Sequence, residues 1–412
     1  MRSSNPTHYA FAICAVSATI AGCGGSQAPT SATDAMPLST GHTQKSPARN
    51  VGHGKGTVEF AYVVNVYSNN VSAYAIDASN GALTQVQGSP FAAGYGPYGV
   101  AIDPSGKFAY VANNGTISGH YTGNVSAFAI NPRSGALTPV SGSPFAAGKN
   151  PLGVAISPNG KFAYVVNYSS ANVSIFAINA STGALKRVNR TPRVRRFLTA
   201  EAIDPAGKFI YVTREGAFPY QHDGHISGYA INTRSGSLRK LKGTFKGTGN
   251  VPAGVAIDPS GKFVYVVNYA SQTVSAFAIT ASTGALSEVQ GSPFIVPYNP
   301  GGVAIHPNGS FVYVVSDLEV AAYTIAPNGA LTPVPGSPFA GGYEPDGVAI
   351  DPLGKFVYVA NTEPYNDVSA YTVNPSNGAL TQVQGSPFAA GDEPAGIATC
   401  EVEHDRCVPP TP

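Results

Sequence analysis

A chain built from repeated apolar segments carries unusual charges in one copy of the repeat. Glu201 stands where the other copies have Val100, Val154, Val255, Val303, Val348 or Ile397. In the same copy Arg214 replaces the asparagine found at Asn65, Asn113, Asn167, Asn268 and Asn361; another copy has Ser316. The segment entering this copy reads Arg193-Val194-Arg195-Arg196, and a long segment within it holds His222, Asp223 and His225. A carboxylate on an otherwise aliphatic strand is costly unless paired, so the spacing predicts a Glu201–Arg214 contact. Such a group could take a proton from water, with Arg214, His222 and His225 stabilising developing negative charge. Arg193, Arg195, Arg196, Glu201, Arg214 and Asp223 could equally hold an anionic or sugar-derived ligand. No third ligand accompanies His222 and His225, so neither metal nor other cofactor is expected.

The elements that must position these residues are short strands. The clearest unit, Gly254 to Phe294, contains apolar runs at 254–258, 263–268 and 273–279, and a fourth starting at Leu286. Asp258-Pro259-Ser260-Gly261, Ser282-Thr283-Gly284 and Gly291-Ser292-Pro293 punctuate them, which is the pattern of strands joined by hairpins. The second run is apolar on both faces: Phe263, Tyr265 and Val267 point one way, Val264 and Val266 the other. A sheet covered on both sides, with a small-residue inner strand, suits radial stacking of four-stranded sheets. The second-strand tyrosine recurs at Tyr62, Tyr110, Tyr164, Tyr211, Tyr265, Tyr313 and Tyr358. The inner strand also occurs seven times, but out of phase: none precedes Phe60, and the last, from Gly396, has no second strand after it. The expected fold is an all-β, seven-bladed β-propeller in which the C-terminal strand supplies the inner strand of blade one and removes the open edges. Numbered by their tyrosines, the blades place Glu201 and Arg214 in blade four.

The segments YVVN, YVAN and YVTR, with DPxGK ahead of them, resemble the Tyr-Val-Thr-Asn-type β-propeller repeat. They are also similar to seven-bladed lactonase-like propellers, the group that includes 6-phosphogluconolactonase. The resemblance spans roughly 60–399 and implies that fold, with lactone hydrolysis as an activity. Lactonase-like propellers tend to carry His just before the inner strand; here Tyr98, Leu152, Ala253, Gly301, Asp346 and Ala395 hold those places.

The remaining segments describe an exported protein. Residues 1–22 form a short basic start and an apolar run too short to remain as a membrane span. The run ends Ile20-Ala21-Gly22-Cys23, a lipobox pattern that predicts lipidation of Cys23. Residues 23–57 read as a lipidated, disordered tether, residues 58–400 as the propeller and residues 401–412 as a tail. Cys400 and Cys407 are expected to form a disulfide, in keeping with an oxidising envelope compartment. The expected location is the cell envelope, at an outer membrane, facing the periplasm or the cell surface. Membrane attachment is expected through the lipid alone, and the ring is expected to be a monomer. Only 11% of the 412 residues are charged and the net charge is +2, so composition names no partner. The basic residues lack interleaved aromatics, which argues against nucleic acid.

Because the histidine positions differ, this reading favours a non-catalytic ring that binds an anionic or sugar-derived ligand, or an envelope protein, near blade four. The alternative is a lactone hydrolase using Glu201 as its base. A third possibility is a purely structural surface module.

Overall fold

The computed structural model describes residues 59–115, 122–188, 197–216, 224–362, 364–403 and 406–410. Its regular structure is all β, arranged in seven antiparallel sheets. Each sheet runs from an inner strand to an outer one, as in blade five: Pro252–Ile257, Phe263–Asn268, Thr273–Ile279 and Leu286–Glu288. The outer edge is interrupted after three residues. It resumes as a second short piece, Phe294–Ile295, paired with the start of the third strand.

The seven inner strands touch in one closed cycle, with Pro394–Glu403 lying between Pro345–Ile350 and Pro97–Ile102. Pro394–Glu403 pairs antiparallel with Glu59–Asn65, and Val63 lies directly opposite Ile397. Blade one is therefore assembled from both ends of the ring. The Cys400–Cys407 disulfide forms and is buried. Beside it, Cys407 N donates to Gly106 O, seating the tail on the first turn of blade two.

Each second strand is buried on both faces, as its composition requires. The core accordingly consists of layers between adjacent blades. One such layer joins Tyr62 and Val64 to Val111 and Phe128, and another joins Tyr164 and Val166 to Ile210 and Val212. The recurrent tyrosine adds a polar joint to each layer. Tyr62 donates to Gly135 O, Tyr110 to Gly183 O, Tyr164 to Gly236 O and Tyr211 to Gly284 O. Tyr265, Tyr313 and Tyr358 donate to Gly329 O, Gly378 O and Gly81 O. Every acceptor lies in the turn before the outer strand of the next blade, and Tyr358 to Gly81 completes the circuit. These glycines have positive φ, 72° at Gly135 and 79° at Gly81, and the Phe two residues before each tyrosine packs against them, leaving no room for a Cβ.

Candidate active site

One end of the ring is defined by the loops leading into the inner strands. The residue before each inner strand is left-handed, with φ between 43° and 67° at Gly96, Asn150, Phe197, Val251, Asn299, Glu344 and Glu393. This turn aims each chain into the central channel at the same depth. The next two levels are, in blade two, Tyr98 and Gly99. The glycine level brings neighbouring inner strands into backbone contact: a Cβ on Gly99 would meet Leu152 O, and one on Gly396 would meet Tyr98 O.

Glu201 occupies the level below. It pairs with Val212 in the adjacent strand. Its carboxyl fills the space above Gly153 of blade three, as Val303 does above Gly254. Glu201 is half-buried, yet Oε2 is fully enclosed and receives no hydrogen bond. Burial alone holds this carboxyl well above the usual carboxylate range.

The expected Glu201–Arg214 contact does not form. Arg214 is opposite Leu198, beyond a register irregularity between Leu198 and Glu201. Its Nη1 donates to Glu215 O (3.1 Å) and its Nη2 to His225 Nδ1 (2.9 Å). The physical reason is visible in the other blades. There the asparagine at this position turns to the third strand: Asn65 Nδ2 donates to Asn70 Oδ1 (2.7 Å) and Ser72 Oγ (2.9 Å). Arg214 keeps that direction and meets His225, the counterpart of Asn70. A guanidinium can only donate, so His225 Nδ1 accepts and that nitrogen carries no proton. The His225 ring stacks on Phe245 at 4.2 Å, and Arg214 Cζ lies 5.5 Å from the Phe245 centroid. Arg214 and His225 thus join each other and Phe245 on the third-strand side, and Arg214 makes no hydrogen bond to Glu201. Arg193, Arg195, Arg196, His222 and Asp223 lie outside the described residues, as does Cys23.

The structure adds two carboxyl groups that lie outside the predicted site. Tyr98 of blade two donates to Asp346 Oδ2 of blade seven at 2.7 Å, past the small Ala395 of blade one. Burial raises the Asp346 carboxyl while the Tyr98 hydrogen bond lowers it; burial and then the Asp346 charge push the Tyr98 hydroxyl well up. Tyr98 and Asp346 are the ionisable exceptions in a column otherwise filled by Leu152, Thr199, Ala253, Gly301 and Ala395, so the signal was present. Glu215, buried beside Arg214, accepts from Tyr168 Oη at 3.0 Å and is pushed up to about 7, chiefly by burial. Its column holds Val66, Asn114, Tyr168, Tyr269, Asp317 and Thr362, which is too varied to mark it. Glu201, Asp346 and Glu215 are thus three carboxyl groups whose proton affinity burial raises.

Comparison with known proteins bears on which chemistry this is. A 6-phosphogluconolactonase of Formosa agariphila is 33% identical over 134 residues, covering 30% of this chain. That match spans 34% of the length of the curated relative. Among solved structures, a Bacteroides uniformis protein assigned as a 6-phosphogluconolactonase superposes with a TM-score of 0.70 at 19% identity, covering 83% of this chain and 99% of its own. A periplasmic gluconolactonase of Pseudomonas aeruginosa superposes with a TM-score of 0.68 at 20% identity, covering 84% of this chain and 100% of its own. These superpositions establish the shared fold. The family of lactonases with a seven-bladed β-propeller matches residues 42–201, 195–299 and 297–397. This finding overturns the expectation of a non-catalytic binding ring, which rested on the missing histidines. The chain belongs to the seven-bladed β-propeller lactonase family.

Proposed function

We propose that this protein is a lactone hydrolase acting at the channel mouth on a lactone of the sugar-acid class. The observation that carries the proposal is Glu201: a carboxyl whose enclosed Oε2 receives no hydrogen bond, set among inner strands whose other members are aliphatic at that position. Water adds to the lactone carbonyl while its proton passes to the ionised Glu201 carboxylate. The ring C–O bond then breaks, the leaving alkoxide takes that proton back from Glu201, and an open-chain hydroxy acid results. A carboxylate with raised proton affinity is a stronger base than an ordinary one once it ionises. The substrate class follows the names of the relatives, a gluconolactonase and a 6-phosphogluconolactonase.

The decisive experiment is turnover of a panel of sugar lactones by the Cys23→Ser chain. Glu201→Gln should lower kcat/KM by at least about 100-fold, the usual scale for a general base. No turnover of any lactone by the unaltered site would overturn the proposal. We further infer that Cys23 is lipidated after cleavage at Gly22, leaving the ring as a monomer on an envelope membrane. The segment Ile20-Ala21-Gly22-Cys23 supports this location.

A further inference from the structure

The outer strands of the seven blades are equal in length and unequal in charge. Leu83–Gln85, Leu137–Pro139, Leu286–Glu288, Leu331–Pro333 and Leu380–Gln382 carry no lysine or arginine. The corresponding strands of blades three and four, Leu185–Arg187 and Leu238–Lys240, present Lys186, Arg187, Arg239 and Lys240, all exposed. Lys242 and Lys246 continue the row on blade four. Among them Phe245 is 46% exposed, with Lys240 Nζ 5.4 Å from its ring centroid. Protection of a sheet edge is the ordinary reason for lysine on an outer strand. It does not explain this row, because the five sibling edges do without it.

We propose that the outer edge of blades three and four docks on an anionic bilayer surface. Lysines and arginines flanking an exposed aromatic ring match that surface: the cations meet the headgroup charge and the ring enters the headgroup–acyl boundary. The occupant is argued from the chain that precedes the ring. Residues 24–56, only 33 positions, separate Cys23 from the ring. A ring tethered to a membrane by so short a segment meets that surface at high local concentration, where even a weak basic patch sets its orientation. The inference rests on the anchoring proposed above and not on the lactonase reading.

The test is co-sedimentation of the Cys23→Ser chain with vesicles of phosphatidylglycerol and phosphatidylcholine in equal parts, against vesicles of phosphatidylcholine alone. Binding should favour the anionic vesicles and fall as salt rises from about 0.05 to 0.5 M. The combined Lys186→Gln, Arg187→Gln, Arg239→Gln and Lys240→Gln chain should lose at least about tenfold in binding. A control with Lys107→Gln, Lys161→Gln, Lys208→Gln and Lys262→Gln removes as many charges from exposed turns elsewhere and should bind as the parent does. Equal or absent binding to the two vesicle types overturns the proposal. So does an edge variant that binds normally, or a control that loses as much as the edge variant.

Discussion

Tyr98 Oη donates to Asp346 Oδ2 at 2.7 Å, linking blade two to blade seven across the blade that closes the ring. The bond favours the ionised carboxylate, whose proton affinity burial would otherwise raise further. Tyr98→Phe removes the donor and leaves the carboxyl enclosed. We expect a stability loss of about 1.5–3 kcal/mol, the range for a hydrogen bond to a charged group. Because the lost donor served the ionised form, the loss should be larger near pH 8 than near pH 4. Denaturant unfolding at both pH values checks this, and equal losses would show that the pair contributes no charge-dependent stability.

Glu201 makes an opposite trade between stability and function. Its folded-state proton affinity lies above the unfolded value because of burial. The stability it contributes is therefore complete below the ordinary carboxylate range and is lost as pH rises through the higher folded-state value. Glu201→Val restores the residue of the sibling blades and should flatten that part of the pH–stability curve, with a higher Tm than the parent in alkaline buffer. The same change should abolish lactone turnover. In the parent, the acid limb of kcat/KM should lie well above the range of an exposed carboxylate. A limb at ordinary carboxylate pH would remove Glu201 from the role of base.

Glu59 sits where the two ends of the ring meet. It is fully buried, faces Glu401 in the closing pair, and neither carboxyl oxygen has a hydrogen-bond partner. Burial first, then Asp351 and Glu401, push its carboxyl up to about 7, against the pull of Lys355. A raised folded-state value means the group's contribution is fully present below about pH 4.5 and is lost as pH climbs to about 7. Glu59→Gln should melt above the parent near pH 8 and converge with it near pH 4.5. Parallel melting curves would show that the closure does not sense this carboxyl.

The ring was legible in the sequence because its joints repeat once per blade. Phe60 and Tyr62, and their six counterparts, fix each second strand, while Gly81 and Gly135 mark the turns that receive the next tyrosine. The phase shift between Phe60 and Gly396 was enough to place Ile397 opposite Val63. The site was less legible. The hairpin register narrows the partner of Glu201 to Tyr211 or Val212, but it does not say toward which neighbour a long side chain leans. Arg214 follows the direction of the asparagines, and their partners Asn70, Asn124 and Asn172 repeat in the third strand, so that column held the missing clue. Tyr98 and Asp346 are 248 residues apart and meet only because the circle closes. No local pattern reports such a contact.

The closed circuit of tyrosines yields a test of closure itself. Tyr164 donates to Gly236 O within the body of the chain, whereas Tyr358 donates to Gly81 O across the junction of its two ends, both at 3.0 Å and both from fully buried rings. Removing either hydroxyl leaves a buried carbonyl short of a donor while the ring keeps its packing. Each of Tyr164→Phe and Tyr358→Phe should cost about 0.5–1.5 kcal/mol. In a closed ring the two costs should agree, because the last layer is as tightly held as any other. In an open stack the terminal layer would fray, and Tyr358→Phe would cost less than Tyr164→Phe. Denaturant unfolding of the two variants under one set of conditions separates these outcomes, and a smaller cost at Tyr358 would show that blades seven and one merely abut.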